Sequence, residues 1–144
     1  MKKKIIIVLG SNHEQEKNVR VAMALLAQTF PSIHFSRSLW TEPIGMEREG
    51  IDARQELKAS QQFVNAIGIA MTEMEEEQVV HVLKNIERKC GRTKEDKAVG
   101  IVKLDLDLLL YGNIRHKEGD WERDYVKLLM TEMDEVMIYD GKSL

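Results

Sequence analysis

The chain has 144 residues, 43% of them hydrophobic and 31% charged, with two prolines and one cysteine; this is one domain's length and a globular composition, which excludes disordered, collagen-like and disulfide-framework classes. A formal net charge of −3 argues against a nucleic-acid binder, which needs a concentrated basic face, and a lone Cys90 without zinc-type spacing fits a reducing cytoplasm. No stretch approaches the roughly 20 apolar residues that span a bilayer, so neither nucleic acid nor membrane is expected as a partner, the expected location is cytoplasmic, and residues 1–144 are read as a single domain.

Lys2-Lys3-Lys4 before Ile5 to Leu9 imitates a signal peptide, but the apolar run is short and closes on the polar Ser11-Asn12-His13-Glu14. It reads instead as a strand buried on both faces, with Gly10-Ser11-Asn12 as the turn that starts a helix. From 14 to 30, Val19, Ala22, Met23, Leu26 and Phe30 recur at helical spacing until Pro31 stops the pattern. Residues 33–40 alternate loosely as a strand and run into the turn Thr41-Glu42-Pro43-Ile44-Gly45.

Residues 46–61 are highly charged and read as a long loop. In the next strand Phe63, Asn65, Ile67, Ile69 and Met71 share one face, and Val64, Ala66, Gly68 and Ala70 share the other. Thr72-Glu73-Met74-Glu75 is expected as a capping box opening a helix whose stripe is Val79, Val82, Leu83, Ile86 and Cys90, closed by Gly91. A charged flexible link at 92–97 leads to a strand at 99–111, ended by Gly112-Asn113. A polar hairpin, a short helix near 122–132 and a last strand at 136–139 complete the order. The predicted fold is α+β, ferredoxin-like βαββαβ with helices on one face and a small C-terminal αβ extension.

The chemistry concentrates at Leu104-Asp105-Leu106-Asp107-Leu108. Residues i and i+2 of a strand face the same way, so two carboxylates are forced together. They repel and raise one another's pKa unless a cation sits between them, and Mg²⁺ held by one or two carboxylates completes its shell with water and phosphates. The alternative is a solvated strand face with leucines inside. Basic residues flank the pair: Arg92, Lys94, Lys97 and Lys103 before it, Arg115, Lys117 and Arg123 after it. Neither a P-loop nor a G-x-G-x-x-G motif is present. His13, His34, His81 and His116 show no paired ligand spacing, and His116 alone falls near the aspartates.

Taken together, Leu9-Gly10-Ser11-Asn12, Thr41 to Gly45, Phe63-Val64-Asn65-Ala66, Ile86-Glu87 with Gly91-Arg92, and Leu104 to Gly112 resemble the 6-hydroxymethyl-7,8-dihydropterin pyrophosphokinase family, in order and spacing over residues 5–130. The resemblance implies transfer of pyrophosphate from ATP to the pterin's hydroxymethyl oxygen with release of AMP, in folate biosynthesis. It implies two Mg²⁺ on Asp105 and Asp107, with ATP as co-substrate. Arg92 would steady the phosphates as a catalytic partner of the pair, and Glu87, Lys94, Lys103, Leu108, His116 and Arg123 would border the nucleotide. Thr41, Glu42, Pro43 and Ile44 would border the pterin slot, with Phe63 and Tyr125 as its flat walls and Asn65 as its hydrogen-bonding partner. The pattern departs from the family at Val99 and Val102, which replace an aromatic and an arginine, and in lacking a Pro-His-Pro segment after Gly112. Those departures motivate a second reading, a catalytically weak or inactive relative that binds nucleotide or a pterin-like ligand in a regulatory role.

Overall fold

The computed structural model describes residues 1–42 and 62–143; Pro43, Ile44 and the charged loop read at 46–61 lie outside the described residues. In chain order the elements are β1 (Lys3–Ser11), α1 (Gln15–Thr29), β2 (His34–Phe35), β3 (Leu39–Thr41) and β4 (Phe63–Thr72). They continue with α2 (Glu76–Lys89), α3 (Lys94–Ala98), β5 (Asp105–Tyr111), β6 (Ile114–Arg115), α4 (Glu118–Trp121) and α5 (Asp124–Ser143). The result is a mixed α/β fold with an antiparallel sheet. β1 lies between β4 and β5, β2 and β3 pair with the outer side of β4, and β6 pairs with β5. Among the described residues no helix is long and apolar enough to cross a membrane.

β1 is central because Ile5 to Leu9 offer no polar face. Ile5, Ile7 and Leu9 pack with Val19, Ala22 and Leu26 of α1 and with Val79, Leu83 and Ile86 of α2. Ile6 and Val8 point the other way, against Val126, Leu129 and Met133 of α5. The expected placing of helices on one face is therefore corrected: α1 and α2 cover one side and α5 the other. A strand with two apolar faces needs both covered, since each buried large side chain stabilises the fold by roughly 1.5–3 kcal/mol.

Four boundaries also differ from expectation. The strand at 33–40 is split, because Ser36 donates its N–H to the Ile67 carbonyl and accepts the Ile67 N–H on its own Oγ, both at 2.8 Å. A side chain thus replaces a ladder bond and the chain steps out between β2 and β3. The capping box lies three residues later than read, with Glu75 as N-cap and Gln78 completing the reciprocal pair; Thr72 instead turns back on the Met74 N–H at 3.1 Å.

The link after Gly91 contains α3, and the following strand starts at Asp105 rather than Val99. Asn12 explains the late start, because its Nδ2 donates to the Gly100 carbonyl at 2.8 Å while its Oδ1 accepts the Val102 N–H at 2.6 Å. The segment 100–102 is bonded to the turn after β1 and cannot join the ladder. Finally, the last strand read at 136–139 is helix, since α5 runs unbroken to Ser143. Val126, Leu129 and Met133 set a helical period, and no glycine or proline interrupts residues 125–139.

Candidate active site

Asp105 and Asp107 stand on one face of β5, opposite Gly10 and Val8 of β1, while Leu106 and Leu108 turn into the core behind them. Among the described residues β6 pairs with the last two residues of β5, Leu110 and Tyr111. The stretch from Asp105 to Leu108 therefore borders open space.

Two recesses meet at this pair. The larger, about 1230 Å³, runs between α2 and the segment 116–123, and its walls include Glu87, Arg92, Val102, Leu108, Lys117 and Arg123. The smaller, about 130 Å³, opens beside it over β1 and β4, bounded by Gly10, Thr41, Glu42, Asn65 and Tyr125. Phe63, Asp105, Asp107 and Arg123 line both. Sheet register builds the smaller recess: Asn65 pairs with Gly10 on one side and Leu39 on the other, and Gly10 pairs with Asp105, so these residues form a row across four strands. Phe63 and Asn65 share a face by their i, i+2 spacing, and the Asn65 amide donates to Thr41 Oγ1.

Charge in the larger recess is tightly arranged. Arg92 Nη1 donates to Asp105 Oδ1 at 2.8 Å and to Glu87 Oε2 at 2.9 Å. The same Glu87 oxygen accepts the Leu106 backbone N–H at 2.8 Å, so α2 grips the edge of β5 through one carboxylate. Burial raises the Glu87 pKa, and the Leu106 N–H and Arg92 oppose that rise. Asp107 is pushed up to about 6, first by burial and then by the neighbouring Asp105 charge, against the pull of Lys117. Lys117 Nζ lies 3.3 Å from Asp107 Oδ1.

Of the residues read from sequence, Asp105, Asp107, Arg92, Glu87, Leu108, His116 and Arg123 come together around the larger recess. Thr41, Glu42, Phe63, Asn65 and Tyr125 come together around the smaller. His116 reaches across the larger recess to Glu76 at the start of α2. Lys94 is exposed on α3, and Lys103 Nζ forms an ion pair with Asp96 Oδ2 at 3.0 Å and donates to the Gly91 carbonyl at 3.2 Å; neither lines the two recesses. Pro43 and Ile44 lie outside the described residues.

Sequence reasoning placed Lys117 in the basic surroundings of the pair but did not single it out. The signal was available in the hairpin: a two-residue turn at Gly112-Asn113 sets Arg115 opposite Leu110 and His116 N–H on the Leu109 carbonyl at 2.9 Å. Continued register sets Lys117 opposite Leu108, and its left-handed backbone at φ 52° leaves Nζ 3.3 Å from Asp107 Oδ1. Lys84 and Asp120 also reach the larger recess; Lys84 shares a helix face with Val80 and Glu87, which helical spacing alone predicts.

Such a site has two compartments, one wide and charged and one small and flat, with paired carboxylates where they meet. Residues 6–135 match the family model described as 7,8-dihydro-6-hydroxymethylpterin-pyrophosphokinase. The chain is 29% identical over 141 residues to a folate synthesis bifunctional protein of Arabidopsis thaliana, covering 90% of this chain and 26% of that longer protein. It is 25% identical over 143 residues to a 2-amino-4-hydroxy-6-hydroxymethyldihydropteridine pyrophosphokinase of Porphyromonas gingivalis, covering 90% of this chain and 89% of the relative.

Proposed function

The chain belongs to the 7,8-dihydro-6-hydroxymethylpterin-pyrophosphokinase family, whose members are ATP-dependent pyrophosphokinases, and from that premise we propose that it transfers the pyrophosphoryl group of ATP to the hydroxymethyl oxygen of 6-hydroxymethyl-7,8-dihydropterin. AMP is the leaving group, and the step belongs to folate synthesis in the cytoplasm. The observation that carries the reading is the meeting of two unequal recesses at Asp105 and Asp107. The sheet order, β1 flanked by β4 and β5 with β2 and β3 outside β4, supports a ferredoxin-like frame.

In this reading the larger recess takes the nucleotide and its triphosphate, with Arg92 and Arg123 against the phosphates. The smaller takes the pterin ring between Phe63 and Tyr125, with the Asn65 amide as its polar anchor and Thr41 and Glu42 along its border. Glu87 acts by holding Arg92 in place. Phosphoryl-type transfer is carried by positioning and charge stabilisation, so a covalent protein nucleophile is not needed.

The aspartate pair fits a divalent cation. Two carboxylates share one strand face, and the pKa of Asp107, about 6, records how poorly the site tolerates both charges. Two carboxylates are what Mg²⁺ takes from a protein when water and phosphate oxygens supply the rest, and such oxygens would complete the coordination here. Asp105 and Asp107 would hold the Mg²⁺ ions, two by the family resemblance, and the metal would supply charge neutralisation on the triphosphate.

Val102 lines the larger recess in place of a cation, and it favours the second reading, a relative that binds its ligands but turns over weakly. One experiment separates the two: incubation of ATP and Mg²⁺ with and without 6-hydroxymethyl-7,8-dihydropterin, with products resolved by mass spectrometry. Pterin-dependent AMP together with the pterin pyrophosphate establishes the enzyme. Binding of both substrates without either product establishes the binding role.

A further inference from the structure

Lys117 occupies an unusual position for a lysine. Its backbone sits at φ 52° and ψ 58°, the left-handed region that costs an ordinary side chain roughly 1–2 kcal/mol. Its surroundings hold it there. On one side the His116 N–H donates to the Leu109 carbonyl at 2.9 Å and the Trp121 Nε1–H donates to the His116 carbonyl at 3.0 Å. On the other the Asp120 N–H donates to the Lys117 carbonyl at 2.8 Å. The Arg115 guanidinium lies 4.3 Å over the Trp121 ring and braces the hairpin from outside. Strain that several contacts over-determine is a mark of a functional position.

The side chain so planted meets Asp107, with Nζ 3.3 Å from Oδ1. Arg92 is shared between Glu87 and Asp105, so among the described residues the cation paired with Asp107 is Lys117. Its side chain is 52% exposed and that of Asp107 is 25% exposed. The lysine can therefore swing away into the larger recess, whose wall it forms, while the carboxylate stays.

We propose, resting on the pyrophosphokinase reading, that Lys117 is the built-in counter-ion of the aspartate pair: it holds Asp107 until a divalent cation arrives with the nucleotide, and then turns to the phosphates. An ammonium beside the carboxylate repels a divalent cation that approaches it, so a bare metal ion binds Asp107 against the Lys117 charge. A metal that enters already bound to a triphosphate brings the anion to which the displaced ammonium moves. Lys117 thus makes the site take metal and nucleotide together and disfavours metal alone. It also supplies a cation to a recess where Val102 provides none.

The test is Mn²⁺ binding to the full chain without nucleotide, followed by the paramagnetic resonance signal of the unbound ion, for wild type, Lys117→Gln and Lys117→Arg. Removing a competing charge from a partly exposed pair should tighten Mn²⁺ by about five- to tenfold in Lys117→Gln, with Lys117→Arg within about twofold of wild type. The same Lys117→Gln protein should bind the Mg²⁺ complex of a non-hydrolysable ATP analogue about tenfold more weakly by calorimetry. Equal Mn²⁺ affinity in wild type and Lys117→Gln overturns the proposal, as does the absence of Mn²⁺ binding from all three. AMP formation, assayed alongside, tests the reading it rests on: tighter Mn²⁺ in Lys117→Gln with no AMP from wild type keeps the counter-ion and removes the pyrophosphokinase.

Discussion

Gly10 and Asn65 face each other across β1 and β4 so closely that a methyl group at Gly10 would lie 2.9 Å from the Asn65 Oδ1. Glycine is required there because the Asn65 amide must lie flat over the strand to reach the smaller recess and Thr41. Gly10→Ala should push that amide away, with an overpacking cost of about 1–3 kcal/mol. The expected signature is a pterin Kd raised by about tenfold, for roughly 1.4 kcal/mol of lost binding, with the ATP Kd little changed. Fluorescence titration with each ligand separately checks it.

Asp107 makes stability depend on pH in an unusual direction. Its folded pKa of about 6 lies above its ordinary value of 3.8, mainly through burial and the Asp105 charge. Between those values the folded chain keeps a proton that the unfolded chain has lost, so stability falls as pH rises through that window and the full penalty stands above it. Asp107→Asn removes the ionisation. It should be more stable than wild type at pH 7.5 by about 1–2 kcal/mol, worth several degrees in Tm, with the advantage gone at pH 3.5. Thermal melts of both proteins across pH 3.5–8 decide it, and Mg²⁺ should narrow the gap at pH 7.5 by stabilising wild type alone.

Arg92 links α2 to β5 through Glu87 and Asp105. Arg92→Ala leaves the Glu87 carboxylate, 12% exposed, without its cation, which should destabilise the fold by about 1–3 kcal/mol. In the assay the same change should lower kcat/KM by about 10²–10³-fold. Arg92→Lys should restore most of the stability and little of the rate, because one nitrogen, Nη1, meets both carboxylates and an ammonium lacks the remaining planar guanidinium donors that grip a phosphate. Urea melts and steady-state kinetics on the three proteins separate these effects.

Asn12 ties the segment 100–102 to the turn after β1 with both ends of its amide. Asn12→Ala should cost about 1 kcal/mol by leaving the part-buried Gly100 carbonyl and Val102 N–H without their partner. The loosening should be local. Hydrogen exchange should rise at residues 99–104, while the amides of β1 and β4 stay protected, and an equal loss of protection throughout the sheet would contradict the assignment.

Much of this was legible in the sequence, for physical reasons that can be named. An uninterrupted Ile5 to Leu9 run dictates a central strand, and the i, i+2 rule alone brings Asp105 beside Asp107 and Phe63 beside Asn65. The errors arose where one residue's side chain overrode a local pattern. Ser36 took a ladder bond and split a strand, and Asn12 held residues 100–102 out of the sheet. The apolar stretch Val136 to Tyr139 reads as a strand in isolation, but the helix begun at Asp124 carries through it. Lys117 escaped notice because its approach to Asp107 depends on a left-handed backbone step after β6 rather than on a motif. Covering helices on both faces followed from the two-faced burial of β1, a consequence that strand and helix order by itself does not state.

The central claim is that catalysis occurs where the two recesses meet, at the aspartate pair. Its most direct test is pterin-dependent AMP release by Asp105→Asn and Asp107→Asn beside wild type, on proteins whose melts show them folded. Each substitution should lower turnover by at least about 10³-fold, the scale of removing a principal electrostatic group from a transfer site, while the pterin still binds the smaller recess. Turnover within a few-fold of wild type in either variant would contradict it.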